Sequence, residues 1–166
     1  MPISQINTNS IANGAVVAAD LAAGAARANF GAGAVLQVVN ATLSTQTDFT
    51  TTAYVDTGLT ATITPSSTSS KILVIVFQAG LWKATNPVYG ELRLLRGATV
   101  ISRFEGEFGQ ASTLSVGFGS AGTAIQDSPN TTSPVVYKTQ CYSSGSTIQL
   151  QRNSATSTIA LLEIAG

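Results

Sequence analysis

Short apolar runs separated by turn residues fill the chain from residue 35 to its end, and this pattern constrains the fold most. In residues 59–63 and 114–118, apolar side chains alternate with small or polar ones. A period of two places successive side chains on opposite faces of a β-strand. Roughly nine or ten such runs follow one another at spacings of about 8 to 12 residues, without helical periodicity. The sequence therefore predicts an all-β domain, an antiparallel β-sandwich of the jelly-roll type.

Further segments predict particular features of this sandwich. Residues 71–77 form a continuous β-branched and apolar run, which is typical of a central strand covered on both faces. Gly97 and Ala98 separate two strand-like runs and predict a hairpin, and residues 143–146 predict another. Residues 117–122 match the G-x-G-x-x-G spacing of dinucleotide-binding loops. No helix is expected after them, so they indicate a bulge or a loop tip instead.

Charged residues make up only 10% of the chain, against about 25% in an average domain, and the formal net charge is zero. Nucleic acid binding is not expected, because it requires a basic surface. With 44% hydrophobic residues and so few charges, copies of the chain repel one another little, which favours burial of surface in a fixed assembly. The N-terminus lacks a signal-peptide pattern, and no run approaches the roughly 20 apolar residues of a membrane-spanning helix. We therefore expect a protein made in a cytoplasm that does not associate with a membrane.

The residues that carry most nucleophilic and metal chemistry are scarce, since the chain has no histidine and one cysteine. Cys141 is expected to be a small buried side chain on a strand. Glu105 and Glu107 have the residue type of a glycosidase pair, but their neighbours supply no apolar pocket. We interpret them as solvated charges near an edge or a loop. The sequence thus predicts no enzyme, no metal ion and no cofactor.

Residues 1–34 differ from the rest of the chain, because they are rich in Ala, Gly and Val and hold two charged side chains, Asp20 and Arg27. We interpret them as an N-terminal arm, extended or partly helical, and residues 35–166 as the sandwich domain. A helix of this composition is marginal in water on its own, so the arm is expected to pack against other polypeptides. The alternative is a disordered terminus. The expected contact residues of the arm are Ile3, Ile6, Ile11, Val16, Val17, Leu21 and Phe30.

Four aromatic residues are candidates for a contact patch. Trp82 and Tyr89 lie on either side of a proline-containing turn, and these two are the preferred candidates for contact with a glycan or a receptor. Tyr54 and Tyr142 are further candidates for such a patch. The alternative interpretation is that all four are core or interface anchors.

Charged residues cluster in the region of the predicted hairpin at Gly97. We expect them to form ion pairs across the hairpin or between subunits. Exposed pairs contribute about 0 to 1 kcal/mol each, so they bear on strand register more than on stability. The residues concerned are Arg93, Arg96, Arg103, Glu91, Glu105 and Glu107.

Several segments resemble virion proteins of tailed phages, and their order along the chain is the stronger part of that resemblance. In the sandwich they are Thr62-Ile-Thr-Pro-Ser-Ser-Thr-Ser-Ser-Lys-Ile-Leu-Val74, Leu92-Arg-Leu-Leu-Arg-Gly97, Asp127-Ser-Pro-Asn-Thr-Thr-Ser133 before Val136-Tyr-Lys138, and Ser157-Thr-Ile-Ala-Leu-Leu-Glu-Ile-Ala165. In the arm, Asn9-Ser-Ile-Ala-Asn-Gly-Ala-Val16 resembles N-terminal parts of phage fibre proteins. The resemblance implies a homotrimeric β-sandwich on the virion surface, without catalytic or metal-binding residues.

Two locations on a virion are compatible with this resemblance, the capsid and the tip of a tail fibre. An arm of about 35 residues reaches at most about 115 to 125 Å, which suits anchoring on a nearby shell better than building a fibre shaft. We therefore expect a capsid cement or decoration protein whose arms contact the major capsid protein. One alternative is a short tail fibre or receptor-binding tip that contacts host surface glycans. A second is a lectin-like or glycan-cleaving enzyme.

Overall fold

A computed structural model describes residues 31–85, 87–110 and 115–166, and in these ranges the chain folds into ten β-strands. A single 3₁₀ turn, Arg152–Ser154, precedes the last strand. The strands are β1 Val35–Leu43, β2 Thr47–Phe49, β3 Val55–Ile63, β4 Lys71–Lys83, β5 Gly90–Arg96, β6 Thr99–Phe108, β7 Val116–Asp127, β8 Val135–Ser143, β9 Ile148–Leu150 and β10 Ser157–Ile164.

The strands form two antiparallel sheets. In the larger sheet the order is β1-β10-β4-β7, and the short strands β9 and β2 lie on the same side of β4 as β10, beyond the residue at which β10 begins. In the smaller sheet the order is β3-β8-β5-β6. Apart from the short strands β2 and β9, each sheet has four long strands, most of whose neighbours are far apart in sequence, which is the arrangement of a jelly roll. The predicted fold class, an all-β antiparallel sandwich of this type, is confirmed.

The core between the sheets consists of two apolar clusters separated by a buried polar layer. One cluster includes Val76 and Tyr137, and the other includes Leu81 and Cys141. Between them, Thr57 donates to Thr139 at 2.5 Å, and Thr139 donates to Gln78 at 3.2 Å. Gln78 in turn donates to Ser157 at 3.1 Å. This chain of hydrogen bonds links the two sheets and satisfies polar groups whose burial would otherwise be costly.

Strand β1 has the bounds that the sequence predicted, whereas β4 differs from its prediction in two ways. It continues past residue 77 to Lys83, because Gly80 adopts a positive φ and allows a bulge against the backbone of Arg152. The expectation that residues 71–77 are covered on both faces is wrong for the described chain. Ile75 is 41% exposed and Phe77 is 46% exposed. The β-branched run correctly indicated a central strand, since β4 lies between β10 and β7. It did not show whether residues of the same chain cover both faces of that strand.

Of the two predicted hairpins, one is confirmed and one is wrong. Gly97 and Ala98 connect β5 to β6, with Arg96 directly opposite Thr99. Residues 143–146 instead carry the chain from one sheet to the other, because β8 pairs with β3 and β5, while β9 pairs with β2 and β4. The connection is held by other loops, since Ser144 N–H donates to the Tyr89 carbonyl at 3.0 Å.

The sandwich has two distinct ends, which we call the root end and the distal end. At the root end, Gly33 N–H donates to the Ala165 carbonyl, and Ala165 N–H donates to the Ala34 carbonyl, both at 2.8 Å. Residues 1–34 therefore join the sandwich beside its C-terminal strand. The distal end is the opposite one, where β5 begins at Gly90 and β8 ends at Ser143. The seven predicted arm contacts, Ile3 to Phe30, lie outside the described residues, so the arm remains a prediction.

A buried carboxylate holds the loop at the root end. Glu163 is fully buried on β10, and its Oε1 accepts hydrogen bonds from Ser66 N–H at 2.7 Å, Ser66 Oγ at 2.6 Å and Ser70 Oγ at 2.7 Å. Gln37 Nε2 donates to its other oxygen at 2.5 Å. Burial raises the pKa of Glu163, but these hydrogen bonds outweigh it and hold the pKa below its usual value. Glu163 is thus a structural anion that fixes residues 65–70 against β10.

Candidate functional site

Three tyrosines meet at the distal end of the smaller sheet, and we call them the tyrosine cluster. Tyr54 directly precedes β3, Tyr89 directly precedes β5, and Tyr142 lies near the end of β8. The ring centroids of Tyr54 and Tyr142 are 5.4 Å apart, and those of Tyr89 and Tyr142 are 6.1 Å apart. Each residue is half-buried. The cluster therefore presents partly exposed aromatic surface contributed by three separate parts of the chain.

Charged and polar groups surround the tyrosine cluster. The Tyr54 hydroxyl donates to Glu91, and the Arg103 guanidinium forms a 2.5 Å ion pair with the same carboxylate. The Arg93 guanidinium lies over the ring of Tyr54, 3.7 Å from its centroid, and donates to Gln140 at 2.7 and 2.9 Å. Aromatic faces with a fixed rim of donors and acceptors suit a ligand that has both apolar C–H surface and hydroxyl groups.

The phenols of Tyr54 and Tyr89 are suited to binding rather than to proton transfer. Burial and the hydrogen bond to Glu91 raise the pKa of Tyr54 to about 12. Burial also raises the pKa of Tyr89, with a further contribution from Tyr142. Neutral phenols near pH 7 donate and accept hydrogen bonds but do not act as general bases.

Further hydrogen bonds between side chains lie on the outer face of the smaller sheet, beside the tyrosine cluster. Lys138 Nζ donates to Asp56 at 2.8 Å, and Gln140 Nε2 donates to the other oxygen of Asp56 at 2.6 Å. The hydrogen bond from Lys138 is the main cause that holds the pKa of Asp56 below its usual value. Four charges on this face therefore form two ion pairs, Arg103 with Glu91 and Lys138 with Asp56, although the face is open to solvent.

The two preferred contact candidates from the sequence are not brought together. Tyr89 joins the tyrosine cluster, but Trp82 lies on β4 of the larger sheet, opposite Gln149 of β9. The Arg152 guanidinium stacks on the Trp82 ring at 4.0 Å. Tyr54 and Tyr142, the other two candidates, are the ones that contact or approach Tyr89. The sequence does show that each of the three tyrosines lies near the end of a strand. It does not show that their rings meet, because that contact depends on the order of the strands in the sheet, which local patterns do not encode.

The predicted ion pairs near the hairpin are confirmed in part. Arg103 pairs with Glu91 across β5 and β6. Arg96 pairs instead with Asp127 of the larger sheet at 2.8 Å, and Tyr137 also donates to Asp127 at 2.7 Å. Arg93 stacks on an aromatic ring rather than pairing with a glutamate.

The cysteine and the two neighbouring glutamates lie where the sequence predicted them. Cys141 is fully buried on β8, as expected, and burial raises the pKa of its thiol to about 12. Glu105 and Glu107 lie on β6, which is the edge strand of the smaller sheet. Residues 117–122 lie on β7, where the pairing with β4 shifts register opposite Leu81, so the expected bulge is confirmed.

Metal-binding clusters and membrane-spanning helices are both absent from the part of the chain that the structure describes. Within it, no three potential ligands among the Asp, Glu and Cys side chains lie close enough together to hold a metal ion. None of its helices is long and apolar enough to cross a membrane.

The outer side of the larger sheet carries uncharged and mostly apolar residues, and we call it the apolar face. It is the outer side of β1, β10, β4 and β7, where three rows of opposed residues cross the sheet. The rows are Val38-Leu162-Leu73-Gln126, Asn40-Ala160-Ile75-Ala124 and Thr42-Thr158-Phe77-Gly122. None of these twelve side chains carries a charge. Val38 is 60% exposed, the highest value among the exposed large hydrophobic residues of the described chain.

Comparison with known proteins adds a likeness of fold only. No family model matches the chain, and no curated protein matches it. Among solved structures, the chain is similar to that titled "Crystal structure of infectious bursal disease virus VP2 subviral particle", with a TM-score of 0.43 and 10% sequence identity. The similarity covers 79% of this chain and 38% of that one, so this chain spans little more than a third of the matched protein's length.

Proposed function

We propose that this chain is a structural virion protein of a tailed phage, a homotrimeric cement or decoration protein on the capsid surface. The observation that carries the proposal is that Gly33 and Ala34, where the arm joins the sandwich, and the tyrosine cluster lie at opposite ends. Gly33 and Ala34 are hydrogen-bonded to Ala165 at the root end, where β8 also begins, and Tyr142 lies near the other end of that strand. The nine residues of β8 separate the two ends by about 30 Å.

This separation matches a protein that is anchored at one end and displayed at the other. In the proposal, the arm extends from the root end onto neighbouring subunits of the major capsid protein. Its apolar side chains are buried there at about 25 cal/mol per Å², less the cost of ordering the arm. The distal end then faces outward. The order of the segments that resemble tailed-phage virion proteins supports the same assignment, as does a fold suited to rigid display.

Decoration of emptied or undecorated capsids tests the proposal. A chain without residues 1–30 keeps Gly33 and Ala34, whose hydrogen bonds to Ala165 complete the root end. We expect this chain to fold but not to bind capsids, while the Tyr142→Ala variant of the full chain binds as the unmodified protein does. Occupancy by the shortened chain equal to that of the full chain would refute the anchoring role. Hundreds of copies per virion on a stained gel are expected for a cement protein, and tens or fewer would contradict it.

A second candidate function is that of a short tail fibre or receptor-binding tip, and the tyrosine cluster favours it. Pyranose rings have a C–H face that packs on aromatic rings and a rim of hydroxyls that bonds to carboxylate, amide and guanidinium groups. Glu91, Arg93 and Gln140 supply such groups beside the rings of Tyr54 and Tyr142. In this candidate role, the displayed end of the protein contacts glycans on the host surface.

A glycan array with two matched aromatic variants tests the second candidate. We expect Tyr142→Ala to abolish retention of glycans and Trp82→Ala, on the other sheet, to leave it unchanged. Loss of binding in the Trp82→Ala variant alone would move the site to the larger sheet and contradict the assignment. We propose binding without turnover, and an assay for released reducing sugar that gave a steady rate would overturn that part.

A further inference from the structure

We propose that the apolar face is the surface through which copies of this chain contact one another. The inference deepens the proposed function and depends on its trimer, since it names the strands that form the subunit contact. Three members of the face, Val38, Ile75 and Phe77, are 60%, 41% and 46% exposed in the single chain. Phe77 and Ile75 belong to β4, which is a central strand flanked by β10 and β7. Exposed large apolar residues in the middle of a sheet mark a surface that another polypeptide covers.

The charge distribution argues for a second copy as the partner. Each of the three rows across the apolar face ends and begins with uncharged residues, and Lys71 lies beyond the rows at the root end, where it donates to Ser128. A partner must therefore offer an equally neutral surface, because a charged one would lose hydration without gaining an ion pair. The same face of another copy meets this requirement by construction.

The outer side of the smaller sheet does not offer such a neutral surface. Asp56, Lys138, Glu91, Arg93 and Arg103 all lie there, and four of them are joined in two ion pairs. Burying these groups against a neutral partner would require removing water from charges that are already satisfied. The two outer faces of one chain are therefore unequal candidates for a contact between copies.

The size of the face and the place where the arm begins together fit the same partner. Four strands about 4.8 Å apart and three rows about 6.6 Å apart along them give the face about 400 Å². In a trimer three such faces bury about 1,200 Å² in all, shared among three contacts, so the arms must add area to reach the roughly 1,000 Å² of a specific interface. Residues 1–34 join β1 at the root end, and β1 is one of the two edge strands of this face. When the faces close around an axis, the arms start side by side and extend the contact.

Charge substitutions at matched positions of the full-length chain test the inference. Ile75 is 41% exposed on the apolar face, and Val136 is 40% exposed on the outer side of the smaller sheet. We expect light scattering to give about three times the 17.0 kDa chain mass for the unmodified protein and for Val136→Asp. For Ile75→Asp we expect the mass to fall about threefold. A trimer mass for Ile75→Asp, with the circular dichroism of the unmodified protein, would overturn the inference while leaving the trimer intact.

A cross-linking experiment gives an answer even if Ile75→Asp does not fold. Cysteine replaces Ile75 or Val136, and a copper–phenanthroline oxidant joins thiols that already lie close together as disulfides, with the unmodified protein as the blank because Cys141 is fully buried. We expect Ile75→Cys to be linked into covalent dimers and Val136→Cys to remain single. Linking of Val136→Cys and not of Ile75→Cys would place the contact on the smaller sheet and overturn the inference. A single-chain mass for the unmodified protein would instead contradict the trimer of the proposed function.

Discussion

The outer faces of the two sheets are built from the same kind of strand, yet they differ in chemistry. The smaller sheet displays paired charges and the tyrosine cluster, whereas the apolar face of the larger sheet displays Val38, Ile75 and Phe77 among uncharged neighbours. Both faces are open in the single chain. We infer from this difference that the charged face remains in water and that the apolar face contacts other copies of the chain.

The largest expected effect comes from placing a charge on the apolar face. If copies are held together there, the unfolding midpoint of the unmodified protein rises with protein concentration, because association stabilises only the folded chain. For a trimer we expect about 1 kcal/mol per chain for each tenfold increase, or roughly 2 to 4 °C. Ile75→Asp is expected to remove this dependence, and Val136→Asp to retain it. Scanning calorimetry over a hundredfold concentration range measures the unfolding midpoint of both variants. The same concentration dependence in the two variants would contradict the assigned difference between the two faces.

A charge inside the larger sheet is tolerated only with full hydrogen bonding, and Glu163 shows this. In Glu163→Gln the new amide N–H₂ faces another donor, so we expect a loss of about 2 to 3 kcal/mol in the free energy of unfolding. Urea denaturation measures the loss, with Glu105→Gln as the matched control on the edge strand β6. A change below that of the control would mean that the Glu163 hydrogen bonds do not stabilise the fold.

The same carboxylate predicts an acid sensitivity whose sign follows from its pKa. The pKa of Glu163 is lower in the folded protein than its ordinary value of 4.5. The stabilisation is therefore complete above pH 4.5 and is lost as the pH falls through the folded pKa. Urea titrations at decreasing pH are expected to show this loss in the unmodified protein and less of it in Glu163→Gln. An equal loss in both would assign the acid sensitivity to other groups.

Much of the fold could be predicted from the sequence because it is local. The period of two in residues 59–63 and the turn at Gly97 are encoded in neighbouring residues, and both are observed. The predictions that failed concern contacts between residues that are distant in the sequence. Residues 143–146 join two sheets rather than two paired strands, and no local pattern distinguishes these cases. Likewise, the run from residue 71 to 77 predicted a covered strand, but the single chain leaves Phe77 exposed, since the sequence does not say which chain provides the cover.

The candidate site shows the same division between local and long-range information. All three tyrosines were identified from the sequence as contact candidates, but Trp82 was preferred as the partner of Tyr89. The two lie seven residues apart in sequence and on different sheets, whereas Tyr142 is distant in sequence and adjacent in space. Glu91 was expected to form an ion pair, and its second contact, with the Tyr54 hydroxyl, depended on β3 and β5 both pairing with β8.

An intermediate effect is expected from Glu91, which supports the smaller sheet's face. Glu91→Gln removes the ion pair to Arg103 and weakens the hydrogen bond from Tyr54, so we expect a loss of about 1 to 2 kcal/mol. The pKa of Tyr54, raised to about 12, should fall toward 10 in this variant. In the unmodified protein the linked stability is complete below pH 10 and is lost as the pH rises through 12. Ultraviolet titration of the tyrosines detects the change, and an unaltered titration would contradict the assigned bond.

The smallest effect is expected from the exposed ion pair of the smaller sheet. Lys138 and Asp56 are 2.8 Å apart, but the Asp56 side chain is 50% exposed. We expect Lys138→Ala to change the free energy of unfolding by about 0 to 1 kcal/mol, and 1 M salt to reduce even that. Urea denaturation at low and high salt measures it. A loss above 2 kcal/mol would mean that this face is buried by a partner and would reverse the roles of the two faces.

The most direct test of the account is the access of solvent to the two faces in the full-length protein. Ile75→Cys and Val136→Cys have nearly equal exposure in the single chain, so a free chain would react with a maleimide at similar rates at both positions. If copies contact one another through the apolar face, Ile75→Cys reacts much more slowly than Val136→Cys, and its rate increases on dilution. Equal rates at every concentration would show that the apolar face is uncovered and would contradict the central claim.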